Sequence, residues 1–252
     1  MSEFISTLPK DIIAGNNVQL PDNTIRRIFN LVNLGGNDVF YDLGCGEGNA
    51  VYIAAKEYNV KKAIGIEWKK RLIDKANKKI KGINNALIVH QDVRNTSLAK
   101  GTVYLFWFYD TEIVTKMVKR FREEVRPGAR IVSVWSPPDL IKPDKTDFPF
   151  FVSTLPFKYA KNVEDQIYSM YGQKCIDYTA SWMLAERYIE SLQAGPSQYK
   201  RFLNILFSMI IWINAWNMKV TCEDQIPPPV ESYLGILRTF FDIELSDMFI
   251  RK

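Results

Sequence analysis

Apolar residues along the first part of the chain follow two alternating spacings. Short continuous apolar runs, typical of buried strands, predict strands at 39–43, 63–66, 87–90, 103–108 and 129–134. Between them, apolar residues recur at helical spacing and predict helices at 24–34, 50–58, 69–81 and 113–125. This alternation predicts an α/β fold with a doubly wound, mostly parallel, Rossmann-like sheet. Two later segments, 150–157 and 166–171, are also predicted as strands.

After Gly172 the pattern changes to helical spacing alone. Helices are predicted at 178–193, 198–219 and 230–243, separated by Gly195-Pro196 and by prolines 227–229. The sequence therefore predicts two domains, a sheet domain over 1–173 and an all-helical extension over 174–252. The aromatic residues of this extension have two open interpretations. They pack onto the sheet domain as ordinary core, or they form a substrate-recruiting or dimerising surface.

A glycine-rich segment joins the first predicted strand to the next helix. Residues 41–49 read YDLGCGEGN, so Asp42 precedes three glycines at alternate positions. Glycine allows a tight turn and a close approach of the backbone to a ligand, because no Cβ intervenes. The start of the following helix offers free N–H groups. Cys45 lies between two of these glycines, and we interpret it as a small filler residue and not as a nucleophile.

Two further acidic residues come at the ends of the next two predicted strands. Glu67 ends the second strand and Asp92 ends the third. A carboxylate at the first position can accept hydrogen bonds from the vicinal hydroxyls of a ribose, and one at the second can accept from an adenine amine. Trp68, beside Glu67, is a candidate for stacking on the adenine. The alternative for each acid alone is a helix cap or a surface turn.

These residues carry a family resemblance. The segments Asp42 to Gly48, Ile64 to Glu67 and Gln91-Asp92-Val93 together resemble the class I, seven-stranded S-adenosylmethionine-dependent methyltransferases, over roughly residues 18–173. The resemblance implies S-adenosyl-L-methionine as cofactor. The cofactor would be bound by Asp42, Gly44, Cys45, Gly46, Glu67, Trp68, Asp92 and Val93. It also implies that the last two strands form an antiparallel edge of the sheet.

A narrower resemblance concerns the methyl acceptor. The segments 21–27, 59–63, 108–111 and 126–133 are similar to the small archaeal non-SET protein lysine methyltransferases, relatives of the disruptor-of-telomeric-silencing histone methyltransferases. The chain departs from that pattern at Gln19-Leu20, at Glu112 and at Val134-Trp135, all on the acceptor side. The resemblance implies an enzyme that methylates lysine side chains of a protein substrate.

Candidate acceptor-side residues follow the fourth and fifth predicted strands. Phe108, Tyr109, Asp110 and Trp135 are the candidate catalytic residues. An aromatic channel can hold a lysine stem and stabilise its ammonium, and desolvation favours the neutral amine. Asp110 is predicted to orient the amine or to accept its proton. The alternative for the aromatic residues is an ordinary core position, above all for Phe106 and Phe108.

A predicted helix at 69–81 is strongly basic, and it leaves a second acceptor class open. Its lysines and arginine either bind RNA or form a solvated face. The alternatives to protein lysine methylation are thus an RNA methyltransferase and a cofactor-binding partner module with little activity. His90 is predicted as a core residue.

Composition fits an ordinary globular protein. The 252 residues are 47% hydrophobic and 24% charged, with a net charge of +5, and all of the positive excess comes from the sheet part. Three cysteines without metal spacing predict no disulfide framework and no metal site, and they indicate a reducing interior. The apolar segment 202–220 contains several asparagines, so we expect a buried helix and no membrane association. We therefore expect a cytoplasmic protein.

Overall fold

The computed structural model describes residues 19–108, 110–193 and 197–249. Residues 19–161 form one compact unit, here called the sheet unit. The described residues from Asn162 onward belong to a second unit, here called the helical unit. This division lies before the predicted one at 173/174. The assignment of separate roles to the two parts stays a prediction.

The sheet unit contains four helices and nine strands within its described residues. In chain order these are α1 (Asp22–Leu31), β1 (Val39–Leu43), α2 (Asn49–Lys56), β2 (Lys62–Glu67), α3 (Lys70–Lys79), β3 (Ala86–His90), β4 (Val103–Phe106), α4 (Thr111–Glu124), β5 (Arg130–Val134), β6 (Ile141–Lys142), β7 (Lys145–Asp147), β8 (Phe150–Thr154) and β9 (Lys158–Tyr159).

Seven of these strands form one sheet in the order β3-β2-β1-β4-β5-β8-β7. The five strands from β3 to β5 are parallel, and β8 pairs antiparallel with both β5 and β7. The predicted doubly wound, mostly parallel fold is confirmed. The chain leaves β1 toward β3 and returns to β4 on the other side of β1. In such sheets a ligand crevice lies outside the carboxyl ends of the strands at this switch point.

The local sequence explains why these strands are central. Strands β1, β2 and β4 are buried along nearly their whole length, as expected for parallel strands covered by helices on both faces. A large apolar cluster centred on Tyr104, Phe106 and Phe121 packs one face of β1 and β4 against α4. This rigid core fixes the ends of β1, β2 and β4, from which the candidate site residues extend.

The prediction of a strand at 166–171 is wrong, because this segment is part of helix α5 (Val163–Tyr171). Asn162 caps the helix by accepting a hydrogen bond from the backbone N–H of Asp165 at 2.9 Å, and Gly172 ends it in the left-handed conformation. Its buried residues are Gln166, Ile167 and Met170, which is helical spacing. The seventh strand is instead β7, a short polar edge strand that carries no apolar run.

The helical unit consists of α5, α6 (Tyr178–Leu192), α7 (Lys200–Asn217) and α8 (Pro228–Phe241) in its described residues. Helices α6 and α7 form an extensively packed pair. Trp212 is fully buried in a cluster with residues of α8 and of the segment that follows it, and it stacks on Trp216 at 5.1 Å between ring centroids. Trp182 stacks on Tyr233 at 6.0 Å. These tryptophans therefore contribute to a core within the helical unit itself.

A disulfide corrects the expectation from cysteine usage. Cys175 and Cys222 are bonded, with their Cα atoms 5.0 Å apart and a separation of 47 positions in sequence. The bond joins the segment before α6 to the segment after α7, next to a bridge between Ile176 and Thr221. Two loops distant in sequence meet here, which spacing alone did not indicate.

Among the described residues, none of the helices combines the length and the apolar character that a membrane crossing requires. In that same part of the chain, no group of His, Cys, Asp or Glu side chains is arranged to hold a metal ion.

Candidate functional site at the carboxyl ends of the parallel strands

The glycine loop, residues 44–48, turns sharply away from β1. The backbone N–H groups of Gly44 and Cys45 both donate to the carbonyl of Ile66, each at 2.9 Å, so the loop is fastened to the end of β2. Gly44 has a φ of +87°, and a Cβ there would lie 3.2 Å from Cζ of Phe108. Glycine is required at this position by both conformation and space. The contact also brings Phe108, which follows β4, to the glycine loop at the switch point.

Cys45 is a packing residue, as the sequence predicted. Its side chain is buried, and its Sγ atom would be 2.6 Å from a Cβ on Gly65 of β2. Burial raises the pKa of the Cys45 thiol far above its usual range, and the charges of Asp42 and Glu67 raise it further. A nucleophilic cysteine needs a thiolate, so Cys45 does not act as one.

Asp42 and Glu67 are brought together as buried carboxylates. Asp42 on β1 lies in register with Gly65 on β2, and the two acids are only 6% and 5% exposed. Glu67 accepts from the N–H of Gly46 at 3.0 Å through Oε2, and from the N–H groups of Trp68 and Lys69 at 2.9 Å through Oε1. A carboxylate has about four acceptor positions. The arrangement leaves Glu67 able to accept one more hydrogen bond, whereas the sequence prediction required two from a ribose.

The environment of Asp42 favours a cationic ligand. Burial, and to a smaller extent the charge of Glu67, raise the pKa of Asp42 to about 7. An acid in this state is ready to ionise when a positive group arrives, because the opposite charge stabilises the carboxylate. A perturbed acid in a crevice at the switch point is typical of a functional site.

Asp92 lies at the predicted strand end but already has a strong partner. It caps a short 3₁₀ turn, and its carboxylate accepts from Nε and Nη2 of Arg94, the latter at 2.6 Å. The hydrogen bonds from Arg94 hold the pKa of Asp92 below its usual value. Val93 is buried in the apolar cluster of the sheet unit. Sequence reasoning missed Arg94, although a cation two positions after an acid is a signal for such a pair.

Trp68 and His90 lie at the surface beside Glu67. Trp68 is 65% exposed, and Nζ of Lys69 lies 5.8 Å from its ring centroid. The carbonyl of Trp68 contacts Nε2 of His90 at 3.1 Å. His90 is exposed, so the prediction of a core position for it is wrong. Trp68 presents an open aromatic face at the end of β2, as its proposed stacking role requires.

Gln19, which the sequence singled out only as a departure from the lysine methyltransferase pattern on the acceptor side, contacts the glycine loop. Its side-chain Oε1 accepts a hydrogen bond from the N–H of Glu47 at 3.3 Å. A Cβ on Gly46 would lie 2.1 Å from Nε2 of Gln19, so the amide is packed directly against the glycine loop. The side chain of Glu47 turns outward to Lys75 of α3 at 2.6 Å.

The acceptor edge, defined as Phe108, Asp110 and Trp135, follows β4 and β5. Tyr109 lies outside the described residues. Asp110 is exposed and caps α4, accepting from the N–H of Ile113 at 3.0 Å through Oδ1. Phe108 is half-buried and packs at 5.3 Å from the ring of Phe106. Phe108 therefore packs on the core and also reaches the glycine loop, and its role in an acceptor channel stays a prediction.

Trp135 occupies an unusual backbone position directly after β5. Its φ is 78°, which a non-glycine residue rarely adopts. Its N–H donates to the carbonyl of Pro149 at 2.7 Å, and its ring lies 6.1 Å from that of Phe148. Backbone conformations of this kind cluster at functional sites, where surrounding contacts maintain them.

The predicted basic helix is observed as α3, and its lysines are exposed to solvent. Two of them have acidic partners, since Lys70 pairs with Asp74 at 2.8 Å and Lys75 with Glu47 at 2.6 Å. A charged face partly neutralised by its own chain is the ordinary solvated arrangement.

Comparisons with known proteins agree with this geometry. A family model described as the ANTKMT methyltransferase domain matches residues 42–145. A protein of Saccharolobus islandicus (strain REY15A) named protein-lysine N-methyltransferase is 32% identical over 134 residues, which cover 50% of this chain and 83% of the relative. Among solved structures, an RNA methyltransferase from Salinibacter ruber in complex with S-adenosyl-L-homocysteine superposes with a TM-score of 0.50. The two sequences are 24% identical, and the matched part covers 57% of this chain and 98% of the Salinibacter protein.

The seven-stranded sheet, the glycine loop at its switch point and the acids at three successive strand ends define a class I S-adenosylmethionine-dependent methyltransferase. The chain belongs to the methyltransferase family that includes the relative from Saccharolobus islandicus. It is an enzyme, and S-adenosyl-L-methionine is its cofactor.

The residues present fit this cofactor. The glycine loop has positive φ angles at Gly44, Gly46 and Gly48 that suit glycine, and Asp42 provides a buried acid for a ligand that carries positive charge. Glu67 retains one acceptor position at the end of β2, and Trp68 offers an aromatic face beside it. The contacts assigned to each residue stay predictions.

Proposed function

We propose that this methyltransferase transfers methyl groups to lysine side chains of proteins. The observation that carries the proposal is the acceptor edge, which combines an aromatic ring at the glycine loop with a carboxylate at the start of α4. The name of the relative from Saccharolobus islandicus supports the same acceptor class.

The charges at the acceptor edge suit a lysine. Asp110 and Glu112 stand at the N-terminus of α4, and Glu112 is 81% exposed. Arg94 lies 3.9 Å from Glu112 and is already bound to Asp92. The exposed carboxylates can therefore attract a basic protein segment, in keeping with the steering effect of surface charge.

The chemistry asks little of the protein beyond positioning. When bound, S-adenosylmethionine supplies a methyl group already activated by the sulfonium, so no covalent enzyme intermediate is needed. Phe108 and Trp135 would line the path of the lysine stem and exclude water, which favours the neutral amine. Oδ1 of Asp110 accepts from the N–H of Ile113, so Oδ2 would be the oxygen that accepts a hydrogen bond from the amine.

The acceptor class is tested by supplying methyl-labelled cofactor to the purified protein with lysate from its own source. Treatment with protease or with ribonuclease then shows whether the label is on protein or on RNA, and mass spectrometry locates the labelled atom. We expect label in peptides, on the Nε atom of lysine. Label lost to ribonuclease would instead assign the acceptor to RNA and would make α3 the first region to examine.

Asp110→Asn tests the role of the carboxylate. Asparagine also caps helices, so α4 should be retained while the charge is lost. We expect kcat/KM to fall about ten- to a hundredfold, with cofactor affinity unchanged. Asp177→Asn is the matched control, because Asp177 caps α6 in the same way, accepting from the N–H of Ala180 at 2.6 Å. Equal activity in the two variants would contradict a role for Asp110 in the reaction.

A cytoplasmic location belongs to the same proposal. It rests on the absence of a disulfide framework in the sequence pattern, and the bond between Cys175 and Cys222 argues against a reducing compartment. Alkylation of free thiols in intact cells distinguishes a reducing location from an oxidising one. Two alkylated cysteines at 175 and 222 support the cytoplasmic location, and protection of both overturns it.

A further inference from the structure

The side chain of Gln19 covers one side of the glycine loop. Its Oε1 accepts from the N–H of Glu47 at 3.3 Å, and its Nε2 lies where a Cβ on Gly46 would stand. Within residues 19–108, 110–193 and 197–249, this Nε2 group makes no hydrogen bond. Gln19 is partly buried, and the neighbouring Leu20 is buried, so the segment is held in place.

Helix α1, which follows Gln19, contacts residues beyond β5 in the sheet. Gln19 stands shortly before α1, and Arg27 of α1 forms an ion pair with Asp147 and also donates to the carbonyl of Phe148 at 3.1 Å. Phe148 in turn packs against Trp135 at the end of β5. The segment thus links the glycine loop to the acceptor edge.

The adenosine half of the cofactor has its candidate contacts on the opposite side. Glu67 ends β2, and Asp92 follows β3, while the sheet order places β2 and β3 on one side of β1 and places β4 and β5 on the other. An elongated cofactor whose adenosine lies toward β2 and β3 has its amino-acid end toward β4. Gln19 contacts the loop at Gly46 and Glu47, and the helix that follows it is linked through Arg27 to residues beyond β4 and β5.

The amino-acid end carries a carboxylate, which needs hydrogen-bond donors. Four N–H groups of the glycine loop already have acceptors: Gly44 and Cys45 donate to Ile66, Gly46 to Glu67, and Gly48 to Cys45. The fifth, of Glu47, is bound by Gln19. We propose that Gln19 is a cofactor-positioning residue whose Nε2 donates to the carboxylate of S-adenosylmethionine while its Oε1 holds the loop through Glu47.

Calorimetric titration with two ligands tests this role without any methyl acceptor, so its outcome is independent of the lysine proposal. S-Adenosylhomocysteine carries the amino-acid chain, and 5′-methylthioadenosine lacks it. For Gln19→Ala we expect the affinity for S-adenosylhomocysteine to fall about tenfold, as for loss of a hydrogen bond to a charged group. The affinity for 5′-methylthioadenosine should stay within about twofold of wild type.

Gln19→Glu separates direct contact from support of the loop. Glutamate keeps an acceptor for the N–H of Glu47, but it replaces the donor with a negative charge. We expect Gln19→Glu to lose more affinity for S-adenosylhomocysteine than Gln19→Ala does, because two carboxylates repel. Gln225→Ala, at an exposed glutamine of the helical unit, is the control for a neutral substitution.

Two results would overturn the inference. Equal losses for both ligands would reduce Gln19 to a support of the loop, and wild-type affinity in Gln19→Glu would remove the carboxylate contact. Circular dichroism of each variant verifies the fold. If Gln19→Ala unfolds, Gln19→Glu still tests the inference, because glutamate retains an acceptor for the N–H of Glu47.

Discussion

The sheet unit and the helical unit differ in what they bury. In the part of the chain that the structure describes, both buried carboxylates, Asp42 and Glu67, belong to the sheet unit. The buried polar side chains of the helical unit are neutral, and two of its serines bond to their own helix or its cap. Ser181 donates to the carbonyl of Asp177 at 3.0 Å, and Ser208 donates to that of Ile205 at 2.9 Å.

We interpret this difference as that between a binding site and a packed scaffold, and this division of roles stays a prediction. Burying a charge is costly unless it is paired, whereas a buried hydroxyl is satisfied by one local acceptor. In the sheet unit the two buried acids lie at the carboxyl ends of the parallel strands, where we expect a cationic cofactor to offset the cost of burying them. The helical unit buries uncharged polar groups, an aromatic core and a disulfide.

The largest expected effect comes from Asp42→Asn. The substitution preserves size and removes the buried charge, so we expect cofactor affinity to fall about a thousandfold, or about 4 kcal/mol. The free protein should be at least as stable as wild type, because repulsion from Glu67 disappears. Calorimetry measures the first effect and thermal unfolding the second. Asp224→Asn, an exposed acid of the helical unit, should change neither, and a loss below about threefold for Asp42→Asn would refute the role.

The second largest effect should be a pH dependence of stability that arises in the sheet unit. The pKa of Asp42 is about 7 in the folded state against an ordinary 3.8, so the folded protein holds a proton that the unfolded chain releases. The contribution of Asp42 to the free energy of unfolding therefore falls as pH rises from about 4 to 7, by at most about 4 kcal/mol. Urea unfolding of the cofactor-free protein across this range measures it. The same fall in Asp42→Asn would assign the effect to other groups.

Removal of the disulfide should affect the helical unit and leave cofactor binding intact. The double variant Cys175→Ser, Cys222→Ser opens a loop of 47 positions, and we expect it to lower stability by about 2–4 kcal/mol. Cofactor affinity should change by less than about twofold. Unfolding of wild type with and without reductant gives the comparison, and the double variant is the control because reductant should not alter it. A large loss of cofactor affinity would show that the division of roles is wrong.

The smallest effect is expected at Asn204. Its side-chain amide is buried in α7, and within the described residues neither polar atom has a hydrogen-bond partner. Asn204→Leu should raise stability by about 1–2 kcal/mol, because an unpaired buried polar group is removed. Asn214→Leu on the exposed face of α7 should stay within about 0.5 kcal/mol. A destabilising Asn204→Leu would indicate that the amide has a polar partner after all.

The sequence predicted the sheet well because the patterns that mark its strands and helices lie within short segments. The strand at 39–43 is observed with the same limits, and the helices at 50–58 and 69–81 differ only at their ends. Asp42, Glu67 and Asp92 fall at strand ends as expected, since a continuous apolar run followed by an acid marks that boundary. The error at 166–171 came from a segment whose alternation resembled a strand while its cap at Asn162 indicated a helix.

The sequence by itself determined the fold class, the glycine loop and the acids that accompany it, because strand period, glycine conformation and acid position are properties of neighbouring residues. Only the tertiary structure decided that Gln19 covers the loop, that Arg94 binds Asp92 and that Cys175 meets Cys222. It also decided that burial raises the pKa of Asp42. Pairings such as Gln19 with Glu47 and Cys175 with Cys222 join residues far apart in the chain, and the burial of a charge depends on every element packed around it. No local sequence pattern encodes these pairings or the burial of a charge.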